Sequence, residues 1–148
     1  MARLTAGLKA GALAVIAATG LAGCVPEGGP VTAMPEQSDG RALFLQYCAV
    51  CHGESAKGDG RMARSMAKPP KDLTLISLRH GDRFPRAKVM SIVDGYARSD
   101  LGGPAMPEFG ELLSGDLVPF DSGDGKATPT PVKLVALVTY LESIQEHR

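Results

Sequence analysis

At 148 residues the chain is the size of one small domain once the leader described below is set aside, so no second domain needs to be sought. Hydrophobic residues reach 44% but aromatics only 5%, with no Trp, so the side chains supply few large rings for a core and a buried apolar group would fill the missing volume. With 18 Gly and 11 Pro the composition speaks against a regular helical bundle, and a formal net charge of +0 points to no strongly charged partner; nucleic acid is not expected among its partners.

Arg3 and Lys9 precede an apolar run from Ala10 to Gly20, after which small residues lead to Cys24. This is a secretory signal layout, and the run is shorter than the ~20 apolar residues a membrane helix needs. Leu21-Ala22-Gly23-Cys24 resembles the bacterial lipobox, in which lipid is attached to the Cys thiol and cleavage frees its amino group. Residues 1–23 are therefore expected to be a lipoprotein signal peptide, with Cys24 lipidated; the alternative is an ordinary signal that leaves Cys24 a free thiol. Residues 24–38, containing Pro26, Gly28, Gly29, Pro30 and Pro35, show no hydrophobic period and read as a flexible tether. The folded domain is expected over 39–148.

Ser38 or Asp39 can cap a first helix running through Arg41-Ala42-Leu43-Phe44-Leu45-Gln46-Tyr47. That helix leads into Cys48-Ala49-Val50-Cys51-His52. Residues three and four apart share one helical face. The two thiols can thus reach two vinyl groups on one porphyrin edge and form thioethers, while the imidazole four residues on turns to the iron. A thioredoxin-like pair would want a βαβ pattern around it, and a structural zinc site would want a further Cys or His pair. The remaining histidines, His80 and His147, read as solvated residues, and a plain disulfide between Cys48 and Cys51 would leave His52 without a task.

Pro85 suits the first position of a middle helix, where Val89, Ile92, Val93 and Tyr96 follow at helical spacing and Gly95 forms the stop. Five methionines besides Met1 are candidates for a second axial ligand. Met106 follows Gly102, Gly103, Pro104 and Ala105, small or rigid residues that let backbone approach a porphyrin face, and precedes Pro107. Met62 and Met66 are spaced to line a pocket or to pack; Met34 and Met90 have less in their favour. Residues 111–130 form an insertion, read as a surface loop or alternatively as a docking or shielding flap anchored by Phe120. Asp121 to Gly125 lacks the bidentate Glu of a calcium loop. Thr130 and Pro131 then start a last helix, whose stripe is Leu134, Leu137, Val138, Leu141 and Ile144.

From Asp39 to Ile144 the chain resembles the class I, monohaem c-type cytochrome family. The resemblance is carried by Gly40, Phe44, the Cys48 to His52 motif with Gly53, Gly58-Asp59-Gly60, Pro70-Lys71-Asp72-Leu73, Gly95-Tyr96, Met106-Pro107-Glu108-Phe109-Gly110 and Tyr140. It implies an all-α fold, short helices wrapped around one covalent haem c bound by Cys48, Cys51, His52 and Met106, with His52 and Met106 on the iron. It also implies that the last helix crosses the first at Gly40, with Phe44 near Tyr140, and that a Pro carbonyl, from Pro69 or Pro70, orients His52.

An iron held by imidazole and thioether has no open site for substrate, so single-electron transfer is the expected function. No acid, base and nucleophile constellation accompanies the motif, and an enzyme with catalytic side chains is not expected. The leading reading is a carrier on the periplasmic side of a bacterial membrane, lipid-anchored, with the outer membrane favoured by Val25, exchanging electrons with redox partner proteins. An electron-entry subunit of an oxidoreductase complex and a haem c gas sensor are the alternatives. Charge is unevenly placed: ten basic and four acidic residues lie from Lys57 to Arg98, three basic and eight acidic from Ser99 to Arg148. Such a dipole can orient a docking encounter or simply mark two solvated faces.

Overall fold

The computed structural model describes residues 33–97 and 106–147. Helix α1 spans Gln37–Leu43 and starts earlier than Ser38 or Asp39 would place it. Glu36 is the N-cap, and Asp39, as the third helical residue, accepts the Glu36 N–H at 3.0 Å in a reciprocal capping box. Instead of continuing as a plain α-helix, the chain widens into one π-helical turn, Phe44–Cys48, where the Ala49 N–H reaches back to the Phe44 carbonyl. Helix α2, Ala49–His52, follows directly. Two 3₁₀ turns, Ala63–Ser65 and Leu73–Leu75, lead to the short α3, Ile76–Arg79.

Helix α4, Arg86–Asp94, buries Val89 and Val93, and Pro85 is its N-cap. It ends at Gly95, whose φ of 108° is open to glycine and strained for other residues. Tyr96 lies beyond that stop and is 89% exposed, so it does not extend the apolar face of α4 as its spacing suggested.

The expectation of an all-α fold is corrected in one place. After α5, Gly110–Leu113, the insertion forms an antiparallel hairpin of β1, Leu117–Asp121, and β2, Ala127–Pro131. Prolines decide the register. Leu117 faces Pro131 and Pro119 faces Pro129, so all three prolines share the parity at which N–H groups point away from the partner strand. The opposite parity turns Val118, Phe120 and Thr130 inward. The insertion is therefore ordered by its own apolar face. Arg86 fastens it to the helices: its Nε donates to Glu142 at 2.8 Å, its Nη1 to the Asp121 carbonyl at 3.3 Å, and its guanidinium lies 5.6 Å from the Phe120 ring centroid.

Helix α6, Val132–Ser143, begins at Pro131 as its N-cap; Thr130 belongs to β2, and its hydroxyl donates to the Thr128 carbonyl rather than capping the helix. The predicted stripe is buried at Leu134, Leu137, Val138 and Leu141, and Val135, Ala136 and Tyr140 are buried as well. The helix is covered nearly all round because α1, α4, α5 and the hairpin all pack on it. Gly40 lets α1 come close: a Cβ there would stand 2.0 Å from the Ala136 carbonyl oxygen. Each fully buried side chain at this crossing, such as Phe44, Val135 and Val138, contributes about 1.5–3 kcal/mol.

Candidate functional site

Cys48, Cys51 and His52 lie together on the turn that ends the α1-to-α2 run, with Cys48 as the α2 N-cap. A helix end leaves carbonyls without intrahelical partners. Here the loop that follows supplies them in alternation: Met62 N–H donates to the Val50 carbonyl at 2.9 Å, Gly60 N–H to Cys51 at 3.2 Å and Gly58 N–H to His52 at 2.8 Å. Gly60 is needed for that approach, since a Cβ would sit 2.5 Å from the Cys51 carbonyl carbon. Gly53 reverses the chain at φ 78°, a left-handed conformation. The backbone of the turn is thus pinned while its side chains remain available.

Both thiols are free and half-buried. Burial, with the neighbouring Cys51, pushes the Cys48 thiol up to about 11, so it is a neutral S–H at ordinary pH. His52 Nδ1 is buried without a hydrogen-bond partner. Burial holds the His52 imidazole below its usual value, opposed by the backbone of Lys71 beside it. The Pro70 carbonyl is turned to Gly58, where a Cβ would lie 2.2 Å from its oxygen.

Met106 is half-buried and packs on the edge of the core, as do Cys48, Leu73, Phe84, Met90 and Phe109. Gly102 to Ala105, which precede it, and Cys24 lie outside the described residues. Met62 is 49% exposed. His80 is exposed, with its Nδ1 2.9 Å from the Ile76 carbonyl of its own helix, and His147 is exposed. Among the described residues no three His, Cys, Asp or Glu side chains gather to hold a metal ion. A zinc cage is absent there, whereas a porphyrin, which brings four nitrogens of its own, asks this chain for only two thiols and axial ligands. The two free thiols, the buried and unpartnered His52 Nδ1 and the half-buried apolar margin fit that group.

Asp121, considered for calcium, accepts the N–H groups of Gly123 at 2.8 Å and Gly125 at 3.0 Å and closes the hairpin turn. One buried residue escaped sequence reading. Gln145, 7% exposed, accepts the Ser77 N–H and donates to the carbonyls of Leu73 and Leu141, tying the end of α6 to the segment after Lys71. It stands one place past the stripe residue Ile144, with no local signal of burial.

Residues 35–118 match the protein family described as cytochrome c oxidase, cbb3-type, subunit III. The chain belongs to this family of c-type cytochromes. A c-type cytochrome domain binds haem c covalently and carries electrons, as the class I resemblance implied. The cytochrome is also 29% identical over 111 residues to a polyvinylalcohol dehydrogenase of Sphingopyxis sp. (strain 113P3). That similarity covers 68% of this chain but 16% of the dehydrogenase, so the cytochrome spans a small part of the length of this relative. No solved structure gives a significant match.

Proposed function

We propose that this domain relays single electrons between redox partner proteins through one haem c, bound by thioethers from Cys48 and Cys51, with His52 and Met106 as axial ligands. The observation that carries the reading is the pairing, on one helical turn, of backbone carbonyls bonded by the following loop with two free thiols and a buried His52 Nδ1 that lacks a partner. Bound haem supplies a one-electron iron couple. The protein's own part is placement. The Gly58, Gly60 and Met62 amides hold the turn, and Met106, half-buried at the core margin, would supply the thioether ligand to the iron.

Lipid on Cys24, with the following residues as tether, would hold the domain at the periplasmic face of a bacterial membrane, the outer one favoured. A second reading draws on the dehydrogenase relative: the domain accepts electrons from an oxidoreductase subunit instead of exchanging them as a free carrier.

The test is a redox titration with a reduced-minus-oxidised spectrum of the purified protein. A one-electron wave and haem that stays on the polypeptide after denaturation are expected, and Cys48→Ser with Cys51→Ser should release it. Haem extractable from the unaltered protein would defeat the reading. Mass spectrometry of the N-terminus tests the anchor, with diacylated Cys24 expected and an unmodified terminus cleaved elsewhere contradicting it. Copurification of a dehydrogenase chain in stoichiometric amount would select the second reading.

A further inference from the structure

We infer that the outward face of the β1–β2 hairpin is a docking surface for a second copy of this chain, which meets it face to face about a twofold axis running along the hairpin.

Register makes the face. With Val118, Phe120 and Thr130 turned to the core, the alternate positions stand outward: Leu117 opposite Pro131, Pro119 opposite Pro129, and Asp121 opposite Ala127. All but the half-buried Pro131 are exposed, Leu117 at 55%. The Asp121 carboxylate is occupied by the Gly123 and Gly125 N–H groups, so the middle of the face is Leu and Pro. A hairpin with one solvated side ordinarily carries polar residues there. This one carries apolar side chains, three of them on rigid prolines, so covering them costs little conformational entropy.

The prolines also close both edges to an added strand. Of the N–H groups that would point outward, Pro119 removes the central one of β1, and Pro129 and Pro131 leave β2 only that of Ala127. A partner therefore meets the face and not an edge.

Charge says which partner. The β1 side is acidic, with Asp116 just before the strand and Asp121 at its far end, whereas the β2 side is basic, with Lys126 just before the strand and Lys133 two places past its end. All four are exposed, and among the described residues none makes an ion pair. Lys133 donates to the uncharged Leu112 carbonyl at 3.4 Å. A second copy turned about an axis along the hairpin lays its β2 over the first copy's β1. Leu117 then meets Pro131, Pro119 meets Pro129, Asp116 meets Lys133 and Asp121 meets Lys126, each contact made twice. Turning about an axis across the strands would instead set β1 over β1, acid against acid. Five residue pairs cover a face about 17 Å long, too small for the ~1,600 Å² that a stable complex typically buries, so the association is weak and reversible.

The test is sedimentation equilibrium of the full-length holoprotein in density-matched detergent, from about 10 µM to about 1 mM at low salt. Dimer should appear toward the upper end, and the association constant should fall several-fold as ionic strength rises to about 0.2 M. Leu117→Asp should lower that constant about tenfold or more. Asp116→Lys and Lys133→Asp should each lower it several-fold, because each sets like charges at both symmetric contacts. Mixed in equal amounts, these two variants should associate at least as well as the unaltered protein, since a basic copy then faces an acidic one. Such recovery excludes misfolding as the cause of the single effects. A protein monomeric at the highest concentration, a dimer indifferent to Leu117→Asp, or a mixture as weak as either variant alone would overturn the inference. Mass is the readout throughout, so the outcome is independent of the electron-transfer reading.

Discussion

The rings of Phe44 and Tyr140 meet with centroids 5.4 Å apart and planes tilted by 47°, one turn from the place where Gly40 lets α1 touch α6. Tilted rings at this separation add about 0.5–1.5 kcal/mol beyond area burial. Phe44 also opens the π-helical turn that delivers Cys48 to the site. The helix crossing and the attachment turn are therefore parts of one packed unit.

Gly40→Ala should destabilise the domain although alanine is the better helix former. Propensity favours the change by about 0.5–1 kcal/mol. A Cβ at 2.0 Å from a backbone oxygen cannot be relieved by a side-chain rotation, and overpacking of this kind costs about 1–3 kcal/mol. Thermal denaturation should show a Tm several degrees lower. An unchanged or raised Tm would mean that the helices part without penalty.

Gln145→Leu retains bulk but strands the Ser77 N–H and the carbonyls of Leu73 and Leu141. Each buried polar group left without a partner costs about 1–3 kcal/mol. Urea denaturation should give a lower midpoint with unchanged slope, and the Ser77 amide should lose its protection from hydrogen exchange. A protected Ser77 amide in the variant would show that another group holds it.

The hairpin turn should loosen in acid. The N–H groups of Gly123 and then Gly125 hold the Asp121 carboxyl below its usual value. A depressed pKa stabilises the fold above the ordinary carboxylate range, and that contribution is lost as pH falls through the lowered value. Exchange at the Gly123 and Gly125 amides should accelerate only below about pH 4, and Asp121→Ala should remove the transition. Persistence of the transition in that variant would assign it to another carboxylate.

On the proposed ligation, Met106→Ala should keep the haem, because attachment depends on Cys48, Cys51 and His52. The sixth position then opens to water or carbon monoxide, and the potential falls with the loss of the soft thioether. A Met106 that only packs predicts an unaltered spectrum with a stability loss of about 2–5 kcal/mol. Loss of a weak sulfur-to-iron band at the red end of the oxidised spectrum separates the two.

The amino-acid sequence by itself determined what depends on residues three and four apart. The Cys48, Cys51 and His52 turn, the stop of α4 at Gly95 and the apolar stripe of α6 were legible because local backbone geometry alone puts those groups on one face or ends the helix. The close approach at Gly40 and the pairing of Phe44 with Tyr140 came from family resemblance, and the packing bears them out.

Only the tertiary structure decided the contacts between distant segments. The Pro70 carbonyl is pressed against Gly58, 12 positions away in the chain, a contact that only the closed loop creates. Whether residues 111–130 stay a loop turns on Val118 and Phe120 finding the core and on Arg86 reaching across from α4. The burial of Gln145 likewise depends on amide and carbonyl groups up to 72 positions away. A hydrogen bond or buried face of this kind exists only once the chain has closed around it, so no window of sequence contains its cause.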